Sequence, residues 1–192
     1  MAGNLRYTAV LDACVLYPAP LRDILMALGA EGVYRARWTA EIQDEWIRNL
    51  IEKRPDLSKE KLLHTASLMN AAVEDAIVLD YEYLIPTLEL PDINDRHVLA
   101  AAIVGHADAI VTFNLKDFPD EAVSRHAVEI LHPDDFLIAQ YDLDKIGILS
   151  IMKACRMKLR KPPKSPEDYI ATLEQQGLPQ MCQILRNAIG LI

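Results

Sequence analysis

The stretch TAVLDACVLYP, residues 8–18, decides the fold. The apolar run Tyr7–Leu11 predicts a β-strand that ends at Asp12, and a helix is expected from about Pro20 to Leu28. Strand patterns and helix patterns then alternate along the chain as far as Leu131, which is typical of βαβ units and a parallel sheet. The sequence therefore predicts an α/β fold in which helices flank a doubly wound parallel sheet.

Hydrophobic periodicity and turn residues give the remaining elements. The further predicted strands are Val33–Arg37, Ile77–Leu79, Ala109–Phe113 and, at the edge, Val128–Leu131. The predicted helices are Ala40–Glu52 (capped by Thr39), Lys59–Glu74, Arg96–His106, about Leu143–Leu159, Pro166–Gln176 (capped by Ser165) and Pro179–Ile189, with a break at Lys161-Pro162-Pro163-Lys164. We expect an α/β domain over residues 1–140 and a helical extension over residues 141–192.

Composition narrows the class of protein. With 51% hydrophobic residues, the 192-residue chain can bury one sizeable core. No long apolar run is present, and the amino-terminal MAGNLRYTAVLD reaches an aspartate too early for a signal peptide, so a cytoplasmic protein without a membrane span is expected. Cys14, Cys155 and Cys182 lack the spacing of a zinc site or a disulfide framework and are interpreted as small buried hydrophobes.

Charge is divided unevenly along the chain. Residues 1–140 carry 12 Lys/Arg against 23 Asp/Glu, whereas residues 141–192 carry 8 against 5. An acidic body does not attract a polyanion over long range, but it suits a site that collects metal cations.

Acidic residues follow the predicted strands, where an open parallel sheet binds its ligands. Asp12 ends the first strand, and AIVTFNLKDFP, residues 109–119, places Asn114 and Asp117 after a later one. In PDINDRHVLAAAIVGHA, residues 91–107, Asp92 is expected to cap the helix, while Asp95 shares a face with the apolar residues and should point toward the sheet. Asp92 remains an alternative to Asp95, and each acid could also be an ordinary turn or cap residue.

The helix in TAEIQDEWIRNL, residues 39–50, offers a fourth acid. At about 100° per residue, Glu45 lies about 100° from the centre of the apolar stripe, Glu41 about 140° and Asp44 about 160°. Glu45 therefore borders the buried face best. Asp44 stays open as an alternative, and so does a solvated acidic face with Glu45 beside Arg48.

Carboxylates that converge repel each other and raise each other's pKa unless a cation lies between them. Oxygen ligands without a well-placed histidine or cysteine favour Mg²⁺ or Mn²⁺ over Zn²⁺. Such an ion activates water and stabilises the charge on phosphate oxygens, so phosphodiester hydrolysis is the reaction that fits. A phosphoaspartyl hydrolase is disfavoured because Ala13-Cys14 offers no second carboxylate, and a signalling receiver domain because His132-Pro133 stands where it needs a lysine.

These motifs resemble the four motifs of the PIN-domain family, in the branch of VapC-like bacterial toxin ribonucleases. VLDACVLYP is similar to the first motif, EIQDEW to the second, DRHVLAAAI to the third and TFNLKDFP to the fourth. The carboxy-terminal KPPKSPEDYIATLEQQGLP also resembles the helical extension of this branch.

The resemblance implies a Rossmann-like sheet, Mg²⁺ or Mn²⁺, and cleavage of single-stranded RNA that leaves a 5′-phosphate. It implies that Asp12 and Asp95 ligate metal, that Glu45 and Asp117 complete the acidic site, and that Asn114 holds a water or a substrate oxygen. Many relatives carry Thr or Ser and then Asn after the first acid, where this chain has Ala13 and Cys14. We therefore expect a hydrogen bond that supports the first acid to be missing.

One strongly basic run lies in the extension, between residues 145 and 164. It is interpreted as a phosphate-binding stripe, with docking of an acidic partner such as an antitoxin and a plain solvated face as alternatives. The candidate RNA-binding residues are Lys153, Arg156, Lys158, Arg160 and Lys161. The expected partners are single-stranded RNA, an antitoxin protein and a second copy of the chain; the alternative function is an inactive PIN scaffold that binds RNA or a protein.

Overall fold

A four-stranded parallel sheet organises the computed structural model, which describes residues 7–192. Its strands are β1 (Thr8–Leu11), β2 (Arg35–Arg37), β3 (Ala109–Val111) and β4 (Glu129–Leu131). The order is β2-β1-β3-β4, with β4 at one edge. β1 pairs with β2 on one side and with β3 on the other, so the direction of winding changes between β1 and β3. The predicted α/β fold with a parallel sheet is confirmed.

Ten α-helices surround or extend this sheet within the part of the chain that the structure describes. They are α1 (Ala13–Leu16), α2 (Ala19–Ala30), α3 (Ala40–Lys53), α4 (Lys59–Ala72), α5 (Arg96–Val104), α6 (Asp120–Val123), α7 (Pro133–Leu143), α8 (Lys145–Lys158), α9 (Pro166–Glu174) and α10 (Pro179–Asn187). Among residues 7–192, no helix is long and apolar enough to cross a membrane.

Helix α3 is fixed at its start and along one face. The Thr39 hydroxyl accepts a hydrogen bond from the Ile42 N–H at 3.0 Å, which confirms the predicted cap. Ile42 and Trp46 are fully buried, and the buried Arg22 guanidinium stacks over the Trp46 ring, 4.6 Å from its centroid. Because Trp46 points into the core, the preceding residue, Glu45, lies at the border of that face.

Two predicted elements differ in the structure. Ile77–Leu79 is not a strand: only Ile77 bridges Trp38, and the chain turns at Asp80, whose φ is 57°. The helix predicted at about Leu143–Leu159 begins two residues later, because Asp144 (φ −147°, ψ 85°) is not helical and caps α8 by accepting from the Gly147 N–H at 2.9 Å. The domain boundary predicted at residue 140 falls inside α7 and stays a prediction.

The helical extension is joined to the sheet domain through α7. The buried Asp134 carboxylate accepts hydrogen bonds from the Gln180 and Met181 N–H groups, at 2.8 and 2.9 Å. These are free N–H groups in the first turn of α10, where a negative charge is stabilised. Asp134 thereby holds α10 against α7.

Candidate active site

The site begins where β1 and β3 end, at the point where the winding of the sheet changes direction. Asp12 follows β1 and Thr112 follows β3, and the Asp12 N–H donates to the Val111 carbonyl at 3.1 Å. In open parallel sheets, ligands bind beyond the carboxyl ends of the strands at such a change of direction. The strand register thus brings together two residues that are one hundred positions apart.

Asp12 is buried and held by neighbouring donors. Its Oδ2 accepts from the Thr112 hydroxyl at 2.6 Å and from the Cys14 thiol at 3.0 Å. The Cys14 Sγ in turn accepts from the Phe113 N–H at 3.2 Å. The expectation that a supporting hydrogen bond is missing is therefore wrong, since the Cys14 thiol donates to the Asp12 carboxylate. Burial nevertheless raises the pKa of Asp12 above its ordinary value, against these hydrogen bonds.

The position and the pKa of Asp95 show that the acids of the site lie near one another. It ends a short 3₁₀ turn and begins α5, and its side chain is half-buried. Burial and, to a smaller extent, the charges of four carboxylates together raise its pKa to about 7. Those four are, in order of effect, Asp12, Asp92, Asp117 and Glu45. Burial is the largest cause of the rise, and the added effect of four charges indicates that these acids lie near one another.

Asp92 and Asp95 occupy different positions, as the sequence predicts. The Asp92 carboxylate accepts from the Asn94 N–H at 2.8 Å and caps the turn. It is exposed, whereas Asp95 is half-buried. The charge of Asp92 also contributes to the raised pKa of Asp95, so Asp92 lies at the rim of the same site.

Glu45 reaches the cluster from α3. Its side chain is 31% exposed, and its charge raises the pKa values of both Asp12 and Asp95. Asp44 is exposed, and its charge does not contribute to the raised pKa of either Asp12 or Asp95. This electrostatic difference favours Glu45 over Asp44.

Asn114 and Asp117 come from the segment after β3. The Asn114 N–H donates to the Thr112 hydroxyl at 2.9 Å, and the Asn114 side chain is exposed at the site. Asp117 ends a 3₁₀ turn, is half-buried, and contributes to the raised pKa of Asp95. All five predicted site residues therefore belong to one end of the sheet.

A cleft crosses the cluster in two lobes. The larger has a volume of about 730 Å³ and is lined by Glu41, Asp44, Asp92, Asp95 and His97, among others. The smaller, of about 460 Å³, is lined by Cys14, Tyr17, Asn49 and Lys53, among others. Glu45 and Asn114 line both lobes and so stand between them.

Sequence reasoning missed His97 and the part that Glu41 plays beside it. His97 is buried, and its Nε2 lies 3.4 Å from the Glu45 Oε2. Its Nδ1 lies 3.7 Å from the Glu41 Oε2. Burial lowers the pKa of His97, but the contact with Glu45 and the charges of Glu41, Glu45 and Asp12 outweigh it, so the pKa lies above its ordinary value. The four-residue spacing of Glu41 and Glu45 was the available signal.

The side chains of the acid cluster offer the type of ligand atom and the negative charge that a hard divalent cation requires. The acids are carboxylates, which Mg²⁺ and Mn²⁺ prefer, and their mutual repulsion is what such an ion relieves. Within residues 7–192, however, no three His, Cys, Asp or Glu side chains stand close enough together to form a ready metal site. Carboxylates would have to close around an ion.

The basic run lies on another surface. Lys158, Arg160, Lys161 and Lys164 line a groove of about 440 Å³ that none of the predicted acids lines. Arg156 differs from its neighbours, because its partly buried guanidinium donates to the Lys164 carbonyl at 2.7 Å. That contact holds the loop after α8, which is a structural role for Arg156.

Comparison with known proteins identifies both parts of the chain. Residues 8–116 match the model of the PIN domain, and residues 133–187 match that of the VapC50 C-terminal domain. A relative from Mycobacterium tuberculosis (strain ATCC 25618 / H37Rv), described as "Putative ribonuclease VapC50", is 42% identical over 93 residues. The alignment covers 48% of this chain and 54% of the relative, or about half the length of that curated protein. No solved structure matches.

The two matches agree with the geometry. The PIN-domain match includes Asp12, Glu45, Asp95 and Asn114, and the second match includes the helices from α7 to α10. Since the first match alone spans more than half of the chain, this protein belongs to the PIN-domain family, with the carboxy-terminal helical region of its VapC50-like members.

Proposed function

We propose that this protein is an Mg²⁺- or Mn²⁺-dependent endoribonuclease that hydrolyses phosphodiester bonds in single-stranded RNA, and that it is the toxin of a toxin–antitoxin pair. The observation that carries the proposal is the convergence of Asp12, Glu45, Asp95 and Asp117 beyond the strand ends of the sheet, where burial and the charges of the neighbouring acids raise the pKa of Asp95. Acids that repel each other at the carboxyl end of a parallel sheet are a site for a cation. The name of the relative in M. tuberculosis supports RNA as the substrate.

Each residue has a distinct task in this proposal. Asp12 and Asp95 would ligate the metal, and Glu45 and Asp117 would complete the acidic site. Asn114, exposed between the two lobes of the cleft, would hold a water or a substrate oxygen. A bound divalent ion supplies an activated water and neutralises charge on the phosphate.

The Asp12 carboxylate is prepared for its task by its neighbours. The bonds from Thr112 and Cys14 both reach Oδ2, which fixes the plane of the carboxylate. A ligand whose orientation is fixed before binding loses less entropy when a metal or substrate arrives. Thr112 and Cys14 are therefore positioning residues.

The basic run supports a second part of the proposal. Lys153 and Lys158 on α8 and Arg160 and Lys161 after it would bind RNA phosphates, with Arg156 supporting the loop that carries Arg160 and Lys161. An antitoxin protein and a second copy of the chain are the further partners that we propose.

The test is cleavage of a fluorescent single-stranded RNA by the purified protein. We expect cutting with Mg²⁺ or Mn²⁺, none in chelator, and a loss of about a thousandfold or more for Asp12→Asn without unfolding. Asp108→Asn is the matched control, because Asp108 lies at the opposite end of the sheet, where it accepts from the Thr8 N–H. Activity that persists in chelator would refute the metal mechanism.

The second candidate function is an inactive PIN scaffold that binds RNA or a protein partner. It is favoured by the lack of a ready group of three ligands among residues 7–192. RNA binding without cleavage under every metal condition, together with unchanged binding in Asp12→Asn, would establish this alternative.

A further inference from the structure

His97 lies between two carboxylates of a neighbouring helix. It belongs to α5, two residues after Asp95, and only 5% of its surface is exposed. Its Nε2 lies 3.4 Å from the Glu45 Oε2, and its Nδ1 lies 3.7 Å from the Glu41 Oε2. Because Glu41 and Glu45 are four residues apart on α3, they face the same way and one imidazole ring reaches both.

The two sides of the ring are not equivalent. A carboxylate accepts hydrogen bonds but does not donate them, so the Nε2 that faces Glu45 carries a hydrogen. The buried Nδ1 has no hydrogen-bond partner among the atoms of residues 7–192. Its nearest carboxylate oxygen, on Glu41, accepts from the Tyr81 hydroxyl at 3.0 Å. Tyr81 thus holds Glu41 beside the ring.

An unpartnered buried nitrogen is costly and calls for a reason. A leucine would fill the same space without that cost if packing were the only requirement at this position. The ring is instead directed into the acid cluster, where the charges that act on it come from Glu41, Glu45 and Asp12.

Glu45 needs such a neighbour. It sits at the edge of the buried face of α3 with a flexible side chain, and the other acids of the cluster repel it. Without a restraint, both repulsion and conformational entropy favour a Glu45 side chain that swings out to solvent.

We propose that His97 is a positioning residue that holds the Glu45 carboxylate at the acid cluster, while Glu41 and Tyr81 brace the other side of its ring. The inference rests on the proposed function, since it assigns His97 a task in that same site. It adds a link between α5, which follows directly after Asp95, and α3, which carries Glu45.

A double-mutant cycle on Mn²⁺ binding, measured by isothermal titration calorimetry, tests the link. His97→Leu should weaken binding about tenfold, the lower end of the range for a residue that orients a metal ligand. His97→Gln, which keeps a donor, should recover most of the affinity. In a Glu45→Gln background, His97→Leu should have no further effect. His64→Leu is the control, because His64 is exposed on α4.

A spectroscopic measurement keeps the inference testable without metal or activity. In ¹H–¹⁵N spectra of the imidazole rings of the full-length protein, Glu45→Gln should shift the Nε2 signal of His97, and Asp44→Gln should leave it unchanged. This readout also covers the case in which His97→Leu does not fold.

The outcomes separate the inference from the proposed function. An unchanged His97 signal in Glu45→Gln, equal losses of affinity in both backgrounds, or a glutamine variant no better than leucine would overturn the role of His97, even where RNA is cleaved. A wild-type protein that neither cleaves RNA nor binds Mn²⁺ would overturn the proposed function, whereas the shift of the His97 signal would still support its contact with Glu45.

Discussion

The acid cluster and the basic run differ in how the fold uses their charges. The acids at the end of the sheet are partly buried and change one another's protonation, as the raised pKa of Asp95 shows. The basic side chains at Lys158, Arg160 and Lys161 are exposed and line an open groove. One region concentrates like charge at a fixed place, and the other spreads it over a surface.

The difference indicates two kinds of binding. Partly buried charges act over short distances with little screening, which suits an ion that must be held at one point. Exposed charges on flexible side chains are screened by salt and contact phosphates without a defined geometry. We therefore expect substitutions in the cluster to change catalysis, and substitutions in the basic run to change affinity and its dependence on salt.

The largest effect should separate the two aspartates at the start of α5. Asp95→Asn should reduce RNA cleavage by about a hundredfold or more, the scale of losing one group that stabilises the transition state. Asp92→Asn should cost less than about tenfold, because asparagine also caps a helical turn. Initial rates at saturating metal measure both. The reverse order would show that Asp92, and not Asp95, is the inner acid.

The next largest effect should be the stabilisation of the folded protein by bound metal. With Mn²⁺ about a hundredfold above its Kd, the wild type should gain about 2.7 kcal/mol in free energy of unfolding, and Asp12→Asn considerably less. Thermal melts in EDTA and in Mn²⁺ measure the gain. Asp56→Asn is the control, since Asp56 pairs with Arg54 on the surface and should keep the full response. Equal gains in wild type and Asp12→Asn would show that Asp12 holds no ion.

Substitutions in the basic run should change the affinity for RNA and its dependence on salt, and not catalysis. Replacing Lys158, Arg160 and Lys161 with Ser should weaken RNA binding about tenfold and lower the salt slope by roughly 0.7 for each phosphate that the protein no longer neutralises. Fluorescence anisotropy across a salt series measures both quantities. Arg156 is left intact because it holds the loop through the Lys164 carbonyl.

The matched control replaces Lys59 and Lys61 on α4, which are exposed and lie outside the groove. A salt slope that stays unchanged in the triple variant would favour docking of a protein partner, or a solvated face, over RNA binding.

The smallest effect concerns pH and the metal-free protein. Asp95 has a pKa of about 7 in the fold, above its ordinary value of 3.8, so the folded protein binds the proton more tightly than the unfolded chain. Stability is therefore lost as pH rises from about 4 to 7, and the loss is complete above pH 7. In EDTA, Asp95→Asn should raise Tm by roughly 2–4 °C at pH 8 and by less than half of that at pH 5. An equal rise in Tm at pH 8 and at pH 5 would show that the effect comes from packing and not from the charge of Asp95.

Much of the fold follows from local patterns. The apolar run before Asp12 and the cap at Thr39 predict β1 and the start of α3, and the structure confirms both. The turn at Asp80 was not predicted, and α8 begins two residues later than expected, because each boundary depends on one residue's backbone conformation rather than on a periodic pattern.

The sequence by itself determined which residues could form the candidate site. Asp12 and Asn114 stand after apolar strand patterns, and Asp95 and Glu45 lie beside apolar helix faces, so their placement follows from periods of two and 3.6 residues. Local periodicity fixes the side of an element on which a residue lies.

Only the tertiary structure decided which of these side chains meet. The hydroxyl of Thr112 reaches an oxygen of Asp12 because β1 pairs with β3 in one register. His97 meets Glu45 because α5 and α3 line the same cleft. Such contacts join residues far apart in sequence, and their distances depend on the packing of whole elements, which no local pattern encodes.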